Sequence, residues 1–127
     1  MESYDPHKPI NSEEWLALDE NERMLLVEDF HDTLDPPIDH GGLKIHCALH
    51  AAVENQLAEA EYPVIKQTLD KLVRQGLDRH DAIHAIASIL GTGLFAAMQG
   101  SDSEFSIKNY RRKLDKLTAK RWRKGLV

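Results

Sequence analysis

The stretch GLDRHDAIHAIASIL, residues 76 to 90, decides how the chain folds. Gly76 ends one helical pattern as a C-terminal glycine, and Asp78 is a suitable N-cap for the next helix. From about Arg79 to Met98 the sequence is apolar on nearly every side, which is typical of a helix surrounded by other helices. We therefore predict an all-α protein built around this central helix.

Helical patterns continue on both sides of the central helix. Asp19 and Glu22 have the spacing of a capping box, and Pro63 stands where the first turn of a helix tolerates proline. The stretches DPPIDHGG, residues 35 to 42, and GSDSEF, residues 100 to 105, predict breaks. The other predicted helices are SEEWLAL behind Asn11 or Ser12, DENERMLLVEDFHDTL, a helix from near Leu43 to about Ala60, PVIKQTLDKLVRQG, and the basic SIKNYRRKLDKLTAKRWRKG.

No segment alternates with the period of two that marks a strand. We expect a single helical domain over residues 1–127, a bundle of five or six helices. Residues 1–11 should form a flexible N-terminus, and residues 108–127 a basic C-terminal helix.

The composition fits an ordinary folded protein, with 42% hydrophobic and 29% charged residues among 127. The single cysteine, Cys47, excludes an internal disulfide and a cysteine-ligated cluster, and it suits a reducing cytoplasm. The start MESYDPHKPINSEE is polar and acidic, unlike a signal peptide, and no run approaches the roughly 18 apolar residues of a membrane span. We expect a cytoplasmic protein without a membrane partner.

Charge is distributed unevenly along the chain. Residues 1–107 carry 20 acidic and 7 basic side chains, whereas residues 108–127 carry 9 basic side chains and one acidic one. Nucleic-acid binders usually show a basic face on the folded domain as well as a basic tail. The acidic body therefore argues against a nucleic-acid partner and favours a solvated C-terminal helix.

Two pairs of histidines carry the signal for a site. His46 and His50 are four residues apart in one predicted helix, as are His80 and His84 in the central helix, so each pair shares a helical face. Imidazoles at this spacing lie about 6 Å apart, from where both can reach one ion at about 2.1 Å. We predict that His46, His50, Glu54, His80 and His84 form a site for a divalent transition metal.

Glu54 shares the face of the first pair but lies about 12 Å along the helix axis from His46. It cannot readily share an ion with His46, and it could pair with His50, bridge a second ion or accept a hydrogen bond from an imidazole. A mononuclear site would suit zinc or nickel, whereas a dinuclear site bridged by Glu54 would suit iron or manganese. His31, at the end of an early helix, could be a fifth histidine of the cluster.

Asn55 follows Glu54 but points away from the histidine face. Because amide side chains are poor ligands for zinc or iron, we predict that Asn55 hydrogen-bonds at a helix junction. Trp15 is expected in the core.

Several functional alternatives stay open. HDAIH is a weak match to the metalloprotease pattern HExxH, since aspartate replaces the glutamate base. An ion with an open position could activate water or oxygen, whereas a closed site would be structural or sensory. The histidines could also form a metal-free polar network in a protein-interaction module with a basic tail. Catalytic residues, partners and a homo-oligomeric state are left open.

Two motifs resemble an uncharacterised bacterial family, the domain of unknown function DUF1841, or a close relative of it. The first, HxxxHxxxENQL, starts at His46, and the second, RHDAIHAI, starts at Arg79. The resemblance covers roughly residues 13 to 95 and leaves the basic tail outside. It implies a helical fold with a His/Glu cluster and implies no activity or substrate.

Overall fold

The computed structural model describes residues 1–33, 40–60, 62–98 and 106–125. Within these ranges the chain forms α-helices and no strand, which confirms the predicted all-α class. Five of the seven helices described have seven residues or more. They are α1 (Ser12–Ala17), α2 (Glu20–Asp32), α3 (His40–Glu59), α4 (Pro63–Arg74), α5 (Arg79–Met98), α6 (Ile107–Lys116) and α7 (Ala119–Arg123).

The helices fall into two compact units, Met1–Glu61 and Tyr62–Val127. The first contains α1, α2 and α3, and the second contains α4 to α7. The expectation that the whole chain is one domain stays a prediction.

In the first unit, α1 and α2 both pack against α3. The predicted N-caps are present: Asn11 Oδ1 accepts from the backbone N–H of Glu14 at 3.1 Å, and Asp19 and Glu22 form a capping box. These caps satisfy N–H groups that a helix start otherwise leaves without partners. The buried apolar side chains of this unit include Tyr4, Trp15, Val27, Cys47, Ala51 and Ala58.

A buried polar junction joins the three helices. The guanidinium of Arg23, in α2, donates to the backbone oxygens of Trp15 and Leu16 at 3.0 and 3.1 Å. Both Arg23 Nη1 and the indole N–H of Trp15 donate to Asn55 Oδ1, at 3.0 and 2.9 Å. The predictions for Asn55 and Trp15 are confirmed, since Asn55 links α3 to both other helices and Trp15 is fully buried.

The N-terminal segment differs from the flexible tail expected over residues 1–11. Tyr4 is 5% exposed and Pro6 is also buried. The ring of Tyr4 lies 5.6 Å from that of Trp15 and 6.4 Å from that of Phe30, between centroids. Aromatic packing of this kind anchors the segment in the core of the first unit.

Helix α3 begins earlier than predicted. It starts at His40 instead of near Leu43, and so includes Gly41 and Gly42. Each glycine destabilises a helix by about 1 kcal/mol relative to alanine. The helix nevertheless continues through both of them, because its other residues are packed in the first unit. The remainder of the predicted loop before His40, and the break predicted at residues 100–105, lie outside the described residues.

In the second unit, α4, α5 and α6 pack against one another. Pro63 begins α4, as predicted. Gly76 follows the end of this helix with a φ of +104°, which confirms it as the predicted C-terminal glycine. Asp78 Oδ1 accepts from the backbone N–H of Asp81 at 2.8 Å, which confirms the N-cap of α5.

The central helix, α5, is buried only along its first part. From His80 to Leu90 most residues are buried, whereas Leu94, Phe95 and Met98 are 39, 64 and 84% exposed. Apolarity on all sides therefore predicted burial correctly for about half of the helix.

Among the described residues, α5 is also the one helix long and apolar enough to cross a membrane, judged by length and composition alone. No such run was predicted from the sequence. A single helix of this kind is weak evidence for a membrane span, because the core helix of a soluble protein passes the same test.

The basic C-terminal segment forms two helices, where one was predicted. Leu117 and Thr118 are extended between α6 and α7, and the Thr118 hydroxyl caps α7. Gln75 Oε1 accepts from the first N–H of α7 at 2.8 Å, and the Lys71 ammonium donates to two carbonyls at the end of α6, both at 3.2 Å. These side-chain contacts satisfy backbone groups at the break, so a continuous helix is not needed.

We expect Gly76→Ala to lower the free energy of unfolding by more than about 1 kcal/mol. Its φ of +104° is rarely adopted by L residues, and an added Cβ would lie 3.3 Å from Arg123 Nη2. Urea denaturation measures the effect. Gly125→Ala is the matched control, because its φ is +73° and its Cβ would meet nothing within 4 Å, so the loss should be smaller. Wild-type stability in Gly76→Ala would contradict this account.

Candidate metal centre

Three histidines of the first unit lie together, which we call the histidine cluster: His31 from α2, and His46 and His50 from α3. Ring centroids are 4.7 Å apart for His31 and His46, 5.1 Å for His31 and His50, and 6.5 Å for His46 and His50. His31 and His50 are at most 1% exposed, and His46 is half-buried. The face predicted for α3 therefore does point inward.

The contact between His31 and His46 joins their two Nε2 atoms, 3.0 Å apart. On its other side, His31 Nδ1 lies 2.8 Å from the backbone oxygen of Val27. A carbonyl can only accept, so Nδ1 carries the hydrogen, and in the neutral ring Nε2 presents a lone pair. Val27 thereby fixes which nitrogen of His31 presents the lone pair.

The third histidine, His50, contacts a tyrosine and, through it, a glutamate. Its Nε2 lies 2.5 Å from the hydroxyl of Tyr4, and the same hydroxyl donates to Glu54 Oε2. Glu54 and His50 have no exposed surface. Glu54 and His50 thus share the hydroxyl of Tyr4. That Glu54 pairs with His50, bridges a second ion or accepts a hydrogen bond from an imidazole stays a prediction.

Burial favours the neutral form of two histidines of the cluster. It lowers the pKa of both His31 and His46 below the ordinary value of 6.5, and for His46 the neighbouring His31 lowers the pKa further. Neutral imidazole is the form that binds a metal. Burial has the opposite effect on the thiol of Cys47, raising its pKa to about 11, so a thiolate ligand is not offered at neutral pH.

The second unit contains its own histidine pair, His80 and His84, one turn apart at the start of α5. Their ring centroids lie 4.0 Å apart with an interplanar angle of 60°, and a ligand-capable nitrogen of each lies within 4.8 Å of one on the other. His80 is buried and His84 is half-buried. That this pair and the pair in α3 bind a common ion stays a prediction.

No sequence pattern indicates Tyr4 as a site residue, and His31 is predicted only as a fifth histidine of the cluster. Both come from outside the HxxxH patterns, and no spacing relates them to α3. Tyr4 in particular lies in a polar segment of 11 residues with no helical pattern, so only the folded chain brings it to His50 and Glu54.

The fold and the cluster define a helical protein with buried histidines held by hydrogen bonds. Residues 39–116 match the family described as Domain of unknown function (DUF1841), which is more than half of the chain. The chain therefore belongs to this family. No curated protein and no solved structure matches the chain.

The family match contains both HxxxH pairs and Glu54, whereas Tyr4 and His31 precede it. It runs through α6, so the expectation that the basic tail lies outside the shared region was wrong for residues 108–116. The description of the family assigns no activity, so the site has to be interpreted from its own geometry.

We expect the metal-free protein to lose stability as the pH falls below 6.5. The folded pKa values of His31 and His46 lie below the unfolded value of 6.5, so the unfolded chain binds more protons there, and the stabilisation present above pH 6.5 is lost on acidification. Urea denaturation with a chelator, from about pH 7.5 to 5.5, measures it. The double variant His31→Gln, His46→Gln should show a shallower fall, and an unchanged fall would contradict the assignment.

Proposed function

We propose that the protein binds a divalent transition metal at the histidine cluster, with His31, His46 and His50 as ligands. The observation that carries the proposal is the 3.0 Å between the Nε2 atoms of His31 and His46, in a site where His31 Nε2 must present a lone pair. We place the protein in a reducing cytoplasm, where a free thiol such as Cys47 persists.

The distance suits two ligands of one ion. Imidazole nitrogens bind zinc at about 2.1 Å, so two of them are about 3.0 Å apart at a right angle and about 3.4 Å apart at a tetrahedral angle. An N–H···N hydrogen bond between the rings would give the same distance without an ion. The metal-free polar network of an interaction module is thus the alternative that the experiment has to exclude.

The contacts of Glu54 bear on the identity of the metal. A carboxyl that accepts from Tyr4 supports the outer, hydrogen-bonding role for Glu54 and favours a mononuclear site over a bridged dinuclear one. Imidazole ligands without a carboxylate suit zinc or nickel better than manganese. Iron or manganese would require Glu54 to leave Tyr4 and bind the ion.

His80 and His84 remain predicted ligands, and they decide what the ion can do. Three imidazoles from the first unit leave a position for water, which a bound metal would activate for hydrolysis. A further pair of imidazoles would close the coordination sphere, as in a structural or sensory site. The proposed function is metal binding, and the role of the second pair separates an enzyme from a sensor.

The test is elemental analysis by mass spectrometry of tag-free, full-length protein purified without chelator. We expect about one equivalent of a transition metal in the wild type and none in His46→Ala, His50→Ala, because two of three ligands are removed. His7→Ala is the matched control, since His7 is exposed and should leave metal content unchanged. Circular dichroism verifies that each variant is helical.

The variant His80→Ala, His84→Ala reports on the second pair. Loss of metal would make these residues ligands of the same site, whereas wild-type content would restrict the site to the first unit. Wild-type protein that takes up no zinc, nickel, iron or manganese would contradict the proposal and leave the histidines as a polar network in an interaction module.

A further inference from the structure

We propose that Tyr4 and Glu54 select the nitrogen with which His50 binds the ion, so that His50 coordinates through Nδ1 while His31 coordinates through Nε2. The inference rests on the proposed function, because it specifies the ligand atoms of that site. It assigns Tyr4 and Glu54 as positioning residues, which act on the ion through an imidazole.

The count of hydrogens at Tyr4 determines the tautomer of His50. A phenol has one hydrogen, and the Tyr4 hydroxyl donates it to Glu54 Oε2. The contact of 2.5 Å between the same hydroxyl and His50 Nε2 must then use a hydrogen of the ring, which the phenol oxygen accepts. Nε2 of His50 is therefore the protonated nitrogen, and Nδ1 carries the lone pair of the neutral ring.

His31 is held in the opposite tautomer by a different kind of partner. Its Nδ1–H donates to the carbonyl of Val27, one turn earlier in α2, which leaves Nε2 as the ligand atom. A backbone carbonyl of the same helix determines the tautomer of His31. The side chains of Tyr4 and Glu54 determine the tautomer of His50. Metal-binding histidines commonly have their second nitrogen held by such a carbonyl or carboxylate.

Burial makes this selection effective. His50 and Glu54 have no exposed surface, and Tyr4 is 5% exposed. Bulk water therefore cannot easily replace the Tyr4 hydroxyl as the acceptor for the His50 N–H, and flipping the tautomer would break the hydrogen bond without an equivalent substitute. In addition, the line from imidazole through phenol to carboxyl draws the ring hydrogen toward Glu54 and makes Nδ1 a better donor to a metal.

The experiment is long-range ¹H–¹⁵N correlation spectroscopy of the histidine rings, in ¹⁵N-labelled full-length protein with and without zinc. Without zinc, His50 should show the Nε2–H tautomer and His31 the Nδ1–H tautomer. With zinc, the metal-bound nitrogen should be Nδ1 in His50 and Nε2 in His31. An Nδ1–H tautomer of His50, or zinc on its Nε2, would overturn the inference.

The two forms of the sample separate this inference from the proposed function. Absence of zinc binding contradicts the ligation through Nδ1, and it contradicts the proposed function as well if nickel, iron and manganese are also not taken up. Zinc bound through His50 Nε2 leaves the proposed function intact and contradicts only the role given to Tyr4 and Glu54.

A variant tests the cause. Tyr4→Phe removes the hydroxyl alone, and we expect it to weaken zinc binding by about 10- to 100-fold and to let His50 populate both tautomers. Tyr62→Phe is the matched control and should keep the wild-type affinity and spectra. A change confined to stability, with wild-type affinity and the wild-type His50 tautomer, would assign Tyr4 a packing role and overturn the proposal.

Glu54→Gln serves if Tyr4→Phe does not fold. The amide oxygen still accepts from Tyr4 but cannot carry a negative charge, so zinc affinity should fall while the His50 tautomer is preserved. Unchanged affinity in Glu54→Gln would contradict the contribution of the carboxyl group.

Discussion

A carboxyl group without exposed surface has to be hydrogen-bonded inside the protein, and Glu54 places this requirement in the middle of the first unit. The hydroxyl of Tyr4 meets it. To do so, the N-terminal segment must fold back on α3, where the Tyr4 ring packs against Trp15 and Phe30. The same hydroxyl then holds His50, so one buried acid organises both the path of the N-terminus and the orientation of a metal-capable imidazole.

Helix α3 carries two polar anchors at consecutive positions, Glu54 and Asn55. Because neighbours in a helix point about 100° apart, the two side chains have different partners. Glu54 accepts from the hydroxyl of Tyr4, on the side of His50. Asn55 accepts from the indole of Trp15 and the guanidinium of Arg23. The first fixes the N-terminal segment and the second fixes α1 and α2. Buried polar contacts of this kind favour a single packing of the helices over alternatives of similar apolar burial.

The segment that matches the family contains only part of the histidine cluster. Residues 39–116 contain the HxxxHxxxE face of α3, whereas Tyr4 and His31 come from elements that precede the match. In the arrangement seen here, the shared segment supplies His46 and His50, and the preceding elements supply His31, whose Nε2 lies against His46, and the hydroxyl that contacts His50. A metal site proposed from the shared segment alone would lack the groups that determine how its histidines present their nitrogens.

The sequence by itself determined the helices, because caps and periodicity are local: the capping box of Asp19 and Glu22, and Gly76 with Asp78, stand where they were predicted. It also placed His46, His50 and Glu54 on one face, since the helical repeat relates residues four apart. It could not find the contact of Tyr4 with His50 and Glu54, which are 46 and 50 residues away in sequence. It did not find the break between α6 and α7, where Lys71 and Gln75 of the preceding elements bind the backbone. Those contacts depend on which surfaces meet after packing, and no local periodicity encodes that, so only the tertiary structure decided them.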